Sequence, residues 1–134
     1  MKKPIIILKW SLIGGGIYFI LIGVVHILGL KLPGLYIYYN LPSYDFQDKI
    51  VSFLAFGWGV FFIHTGRHLP AGIGTVKALL LAGLVAIAGL SYINISTDFS
   101  GLSKNATVLF YWIELLFLIL YLILLFTLYR RSSR

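Results

Sequence analysis

The chain has 134 residues, 60% of them hydrophobic and 11% charged, with a formal net charge of +7 and no cysteine. A soluble domain carries about 25% charged residues, and a chain this short cannot hide so much apolar surface in its own core, so lipid has to cover it. The missing cysteine excludes disulfides, thiolate zinc sites and iron–sulfur clusters, and the basic residues gather at predicted helix ends rather than in a patch suited to nucleic acid.

The first apolar run follows Lys2, Lys3 and Lys9 and predicts a helix over 10–30. It exceeds the core of a secretory leader, about 7–15 residues, and no small-residue cleavage site follows, so a retained transmembrane helix is expected. Gly15, Phe19, Gly23 and His26 fall on one face at about 100° per residue. The glycines permit close helix approach, which puts His26 on the packed side. The segment from Lys31 to Lys49 is broken by Pro33, Gly34 and Pro42 and carries Tyr36, Tyr38, Tyr39 and Tyr44. It is too short and interrupted to span. The preferred reading is an interfacial loop with tyrosines at headgroup level; the other is an aromatic lid over a cavity between the helices.

A second helix is predicted over 49–67, with Asp45 or Ser43 as its cap. His64 and His68 lie four apart, hence on one face. Two imidazoles at that spacing are weak candidates for a metal or haem, since no third ligand is evident and Arg67 disfavours a cation. Interfacial histidines are the preferred reading, and no cofactor is expected. The short loop beyond Pro70 predicts an antiparallel hairpin with a third helix over 76–95. There Ala78, Ala82, Ala86 and Gly89 make a stripe of small residues expected to face other helices, in this chain or in a second copy.

The fourth helix, predicted over 107–129, contains Glu114, the only glutamate in the chain. A carboxylate at that depth costs a few kcal/mol to insert and normally faces protein or a wet cavity. With the helices alternating in direction, His26 and Glu114 differ in depth by about 5 Å at roughly 1.5 Å per residue, so His26 is the expected ionisable neighbour. Tyr111 and Tyr121 share the Glu114 face. One reading is a hydrogen bond that locks the bundle. The other is a ligand site, or a proton acceptor, built from Glu114, His26, Tyr111 and Tyr121. No nucleophile elbow and no paired carboxylates on one helix accompany them.

Lys2, Lys3, Lys9, Arg67, Lys77, Arg130, Arg131 and Arg134 fall at one end, against Lys31, Lys49 and Lys104 at the other. The excess puts both termini on the cytoplasmic side of the inner membrane. The expected architecture is all-α: one polytopic membrane domain, 1–134, with four antiparallel transmembrane helices in an up-down-up-down bundle. The expected function is non-enzymatic, an accessory or scaffold component of a membrane assembly. The alternative is a binder or carrier of a lipid-like or quinone-like molecule at the outer-half site near Glu114 and His26. Expected partners are the bilayer and either a membrane protein or further copies of the chain, with no nucleic acid.

Four helices, a broken aromatic loop after the first, and a glycine-rich second helix ending in His64-Thr65-Gly66-Arg67 give a layout that resembles the small DoxX-like four-helix bacterial membrane proteins, many of them uncharacterised. The resemblance spans Trp10 to Arg131. It implies an antiparallel four-helix bundle, and it carries no site residues with it.

Overall fold

The computed structural model describes residues 2–133, so Arg134, counted above among the cations, lies outside the described residues. The chain is helical: α1 Lys3–Ile27, α2 Asp45–Arg67, α3 Ile73–Ser96, the single turn α4 Phe99–Leu102, and α5 Val108–Ser132. The four long helices are each long and apolar enough to cross a membrane. At about 1.5 Å per residue the 25 residues of α5 reach roughly 37 Å, more than a hydrocarbon core of about 30 Å. Large apolar side chains point outward along them, including Phe53, Val85 and Phe117.

The helix ends differ from the sequence expectation for local reasons. α1 begins seven residues early because Pro4 occupies its first turn, where a missing N–H costs nothing, and because Ile5 and Leu8 pack into the core. It stops at Ile27 rather than Leu30. Gly29 takes φ +67, and the Gly29 and Leu30 N–H groups donate back to the His26 and Val25 carbonyls. That pair of bonds is a Schellman ending, which needs a left-handed residue just past the cap. α2 begins at Asp45. Its cap is Tyr44, with no side-chain hydrogen bond, so neither Asp45 nor Ser43 caps it. Asp45 and Asp48 lie instead in the first turn, where the helix dipole favours negative charge.

The spatial order of the long helices is α2, α1, α5, α3, with α2 and α3 in little contact although they are consecutive. The tightest contact is between α1 and α2. Gly16 faces Gly59, Gly23 faces Ser52 and Phe56, and Gly66 faces Lys9. The position numbers of Gly16–Gly59, Gly23–Ser52 and Lys9–Gly66 share one sum, as an antiparallel register requires. The Ser52 hydroxyl donates to the Gly23 carbonyl at 2.8 Å. A Cβ on Gly16 would stand 2.8 Å from the Gly59 carbonyl oxygen, so only glycine admits this approach. Leu8, Leu12, Phe62, Val76, Leu79 and Leu125 close the core in the half of the bundle that holds the termini.

α3 turns Val76, Leu79 and Leu80 into that core, and Gly83 against Leu122 of α5. The small-residue stripe lies on another face. Ala78, Ala86 and Gly89 are exposed and Ala82 is half-buried, and nothing stands within 4 Å of a Cβ built on Gly89. The stripe therefore does not pack within the chain. Small residues allow close approach, but the large residues of the adjacent face decide which side turns inward. Ala86→Leu is accordingly expected to leave the melting of the monomer in detergent unchanged, within about 0.5 kcal/mol. A clear loss would place a second helix on that face.

Candidate functional site

The chemistry-bearing residues gather at the end opposite the termini, where residues 28–44 and the link through α4 meet. All four acidic residues, Asp45, Asp48, Asp98 and Glu114, lie in this half. Pro33 and Gly34 start a turn in which Gly34 adopts φ +83, a conformation that favours glycine. That turn is clamped from two helices. The Gly34 N–H donates to Glu114 Oε1 at 2.8 Å, and the Tyr18 hydroxyl of α1 donates to the Gly34 carbonyl. Glu114 is half-buried, and its other oxygen has no hydrogen-bond partner among the described residues.

Beside it the loop is stitched down by Asn40. Its amide donates to the Asn105 carbonyl and, at 3.0 Å, to the Thr107 hydroxyl, and its oxygen accepts from Tyr111. Tyr111 is fully buried and meets Tyr38 and Phe99 edge-on, with ring centroids 5.0 and 5.1 Å away. The Tyr38 hydroxyl donates to Asn94 Oδ1 of α3 at 3.0 Å. Burial first, then the neighbouring Tyr111 and Glu114, push the Tyr38 phenol up to about 12, so it stays a protonated donor at neutral pH. Asn94 is buried, and its Nδ2 has no partner among the described residues.

A second cluster ties the loop to α2. Tyr36 and Ser43 both donate to the buried Asp48 carboxylate, Ser43 at 2.8 Å. Burial and the bond to Asp48 raise the Tyr36 phenol above its ordinary value. His26 stacks on the Tyr36 ring, centroids 4.1 Å apart and planes 7° from parallel, while its Nδ1 lies 2.9 Å from the Ile22 carbonyl. The Lys31 ammonium stands 5.6 Å from the other ring contact, the Tyr36 centroid, and donates to the Leu41 carbonyl. On the α4 turn, hydrogen bonds from Ser100 and the Gly101 N–H hold the Asp98 carboxyl below its ordinary value.

The predicted site residues thus divide. Tyr111 joins the loop cluster next to Glu114, but His26 belongs to the Tyr36–Asp48 cluster and shares no hydrogen bond or ion pair with Glu114; the one ion pair among the described residues is the exposed Lys49–Asp45 pair. Tyr121 points away, toward α1, where its hydroxyl donates to the Ser11 carbonyl at 2.9 Å and fills the space beside Gly15. Tyr36, Tyr38, Asn40, Asp48 and Asn94 are site residues that sequence reasoning missed as a group. The broken, tyrosine-rich composition of the loop was the available signal, and it fits a cap folded onto the helices better than tyrosines spread along an interface: Tyr36 is buried, while Tyr44 stays 69% exposed.

His64 and His68 are exposed at the opposite end. Their rings stack 4.0 Å apart, and His68 Nδ1 lies 2.8 Å from the His64 carbonyl. Among the described residues no three histidine, aspartate or glutamate side chains come together as a metal site. No protein-family model, no curated protein and no solved structure matches the chain.

Proposed function

We propose that this protein is a non-enzymatic integral protein of the inner membrane, an accessory or scaffold component of a larger membrane assembly. The observation that carries this reading is the use made of Glu114: the one glutamate, set in the apolar run of α5, fastens a loop by accepting the Gly34 N–H. Asp48, Asn40, Tyr36 and Tyr111 are likewise engaged in holding that loop. Side chains committed to structural bonds are poor donors and acceptors for turnover, and the bundle offers the capped end as a rigid surface. The excess of cations at the other end orients both termini toward the cytoplasm. The likeness in layout to DoxX-like proteins suits this reading.

A second reading keeps Glu114 in a site for a lipid-like or quinone-like molecule. It is favoured by the buried Asn94 amide, which lacks a partner among the described residues and sits beside Tyr38 next to Phe99 and Tyr111. A buried donor normally finds an acceptor, and a ligand carbonyl would supply one.

Mass spectrometry of gently purified protein separates the two. A partner protein at fixed stoichiometry, or a defined oligomer, is expected for the scaffold; a co-purifying small quinone or lipid that Asn94→Leu abolishes would favour the second reading. A reporter fused to the C-terminus is expected to be active only in the cytoplasm, and activity outside would reverse the orientation.

A further inference from the structure

At the end that holds the termini, α3 and α5 part to leave a groove of about 460 Å³. Leu80, Leu81, Leu84 and Phe126 form its apolar wall, and Lys77 and Arg130 stand at its rim. Lys77 and Leu84 are seven residues apart on one helix, so the wall runs about 10 Å from the rim toward the bilayer centre at roughly 1.5 Å per residue. A smaller groove of about 280 Å³ adjoins it across Phe126, where Arg131 joins Arg130. The Arg130 guanidinium lies 5.8 Å from the Phe126 ring centroid, close enough for a cation–π contact that places the charge beside the groove's apolar wall.

Among the described residues the charges here are uncompensated. Neither Lys77 nor Arg130 makes an ion pair among the described residues, and no acidic residue lies in this half of the bundle. A cationic rim above an apolar trough is complementary to one kind of molecule in a membrane: a lipid with an anionic phosphate headgroup and an acyl chain. A second protein helix would fill the trough but leave both cations unmatched. A zwitterionic lipid would fill it too, but its own ammonium offsets the attraction.

We propose that the α3–α5 groove is a binding site for an anionic phospholipid, with the phosphate between Lys77 and Arg130 and an acyl chain along Leu80, Leu84 and Phe126. This site lies at the opposite end from Glu114 and does not depend on what that end does.

The test is native mass spectrometry and thermal melting of the full chain in a mild detergent, with added phosphatidylglycerol or phosphatidylcholine of matched acyl chains. Phosphatidylglycerol is expected to be retained and to raise the melting temperature, while phosphatidylcholine and glycerol phosphate, which lacks the chains, are not. Each cation near a membrane surface contributes about fivefold in affinity, so Lys77→Gln with Arg130→Gln should weaken phosphatidylglycerol binding on the order of thirtyfold. Leu84→Trp, which fills the trough and leaves the charges, should also displace it. Arg67→Gln, a cation at the same end but on α2, should keep it. Equal binding of the two lipids would overturn the proposal. So would an equal loss in Arg67→Gln, which would mean diffuse attraction to a basic surface, or full binding by the Lys77 and Arg130 double variant.

Discussion

Gly16→Ala and Gly59→Ala should each destabilise the bundle by about 1–3 kcal/mol, the range found for overpacking a filled interface. The two glycines face each other where α1 and α2 come closest. A Cβ at Gly16 would meet the Gly59 carbonyl oxygen at 2.8 Å, and one at Gly59 would meet the Gly16 carbonyl oxygen at 2.9 Å. Those obstacles are helix backbone, so relief requires the helices to part, and parting also loosens the Ser52 bond to Gly23 one step along the register. In lipid that separation is not offset by burying apolar surface elsewhere, because the tails are as apolar as the side chains; packing and interhelical hydrogen bonds are what hold the helices together. Gly14→Ala and Gly57→Ala are the controls. Nothing stands within 4 Å of a Cβ at either position, and alanine is the better helix former by up to about 1 kcal/mol, so these variants should melt at or above the parent. Thermal unfolding in detergent reads all four. Equal melting of Gly16→Ala and Gly14→Ala would mean that α1 and α2 do not meet at this register.

The spans were legible because an apolar run of that length has few other fates, and the shifts at their ends trace to single residues. Gly29 draws α1 short through a Schellman ending, and Pro4 lets it start early. The α1–α2 contact was half legible. Gly23 lies on the packed face of α1 that its spacing indicates, opposite Ser52 and Phe56. On α2, Ala55-x-x-x-Gly59, whose Gly59 meets Gly16, follows the same small-residue spacing as the stripe of α3. In α3 the same spacing meets no partner within the chain, because it states that close approach is possible, not that a partner exists; a second copy is the other half of that expectation. In α2 the partner is Gly16; along Ala78, Ala86 and Gly89 there is none in the chain.

The capped end was legible one residue at a time. Glu114 stands out as the only carboxyl within an apolar run, and helical periodicity correctly sets Tyr111 beside it. Its partner was out of reach, because Gly34 N–H is 80 residues away on an irregular turn, and depth matching can compare only helix with helix. The same reasoning chose His26 on depth, while the actual neighbour from α1 is Tyr18, two turns earlier, which clamps Gly34 from its other side. Loop conformation, not helix register, decides which acid meets which donor here.

Glu114→Gln and Glu114→Leu should therefore part company. Glutamine keeps an oxygen where Oε1 stands, accepts the Gly34 N–H and should melt within about 0.5 kcal/mol of the parent. From burial alone, leucine would be neutral or better, since replacing a buried polar group by a packed apolar one often is. That argument holds only when both partners of a bond go together. Here the Gly34 N–H stays behind, and of the two helix clamps on the turn only the Tyr18 hydroxyl remains. Gly34 is exposed, so water can take up its freed N–H and the cost is the net worth of one hydrogen bond, about 0.5–1.5 kcal/mol; leucine should lower stability by that amount and the loss should be local. Hydrogen exchange at the Gly34 amide should quicken in the leucine variant and stay near parental in the glutamine one, with the Asn40 stitches to α5 loosening next. Unchanged exchange in both would remove the fastening role. A glutamine variant that melts and exchanges normally yet loses a cellular function would instead move the weight to a ligand or proton at Glu114, because the fastening bond survives that substitution and the ionisable oxygen does not.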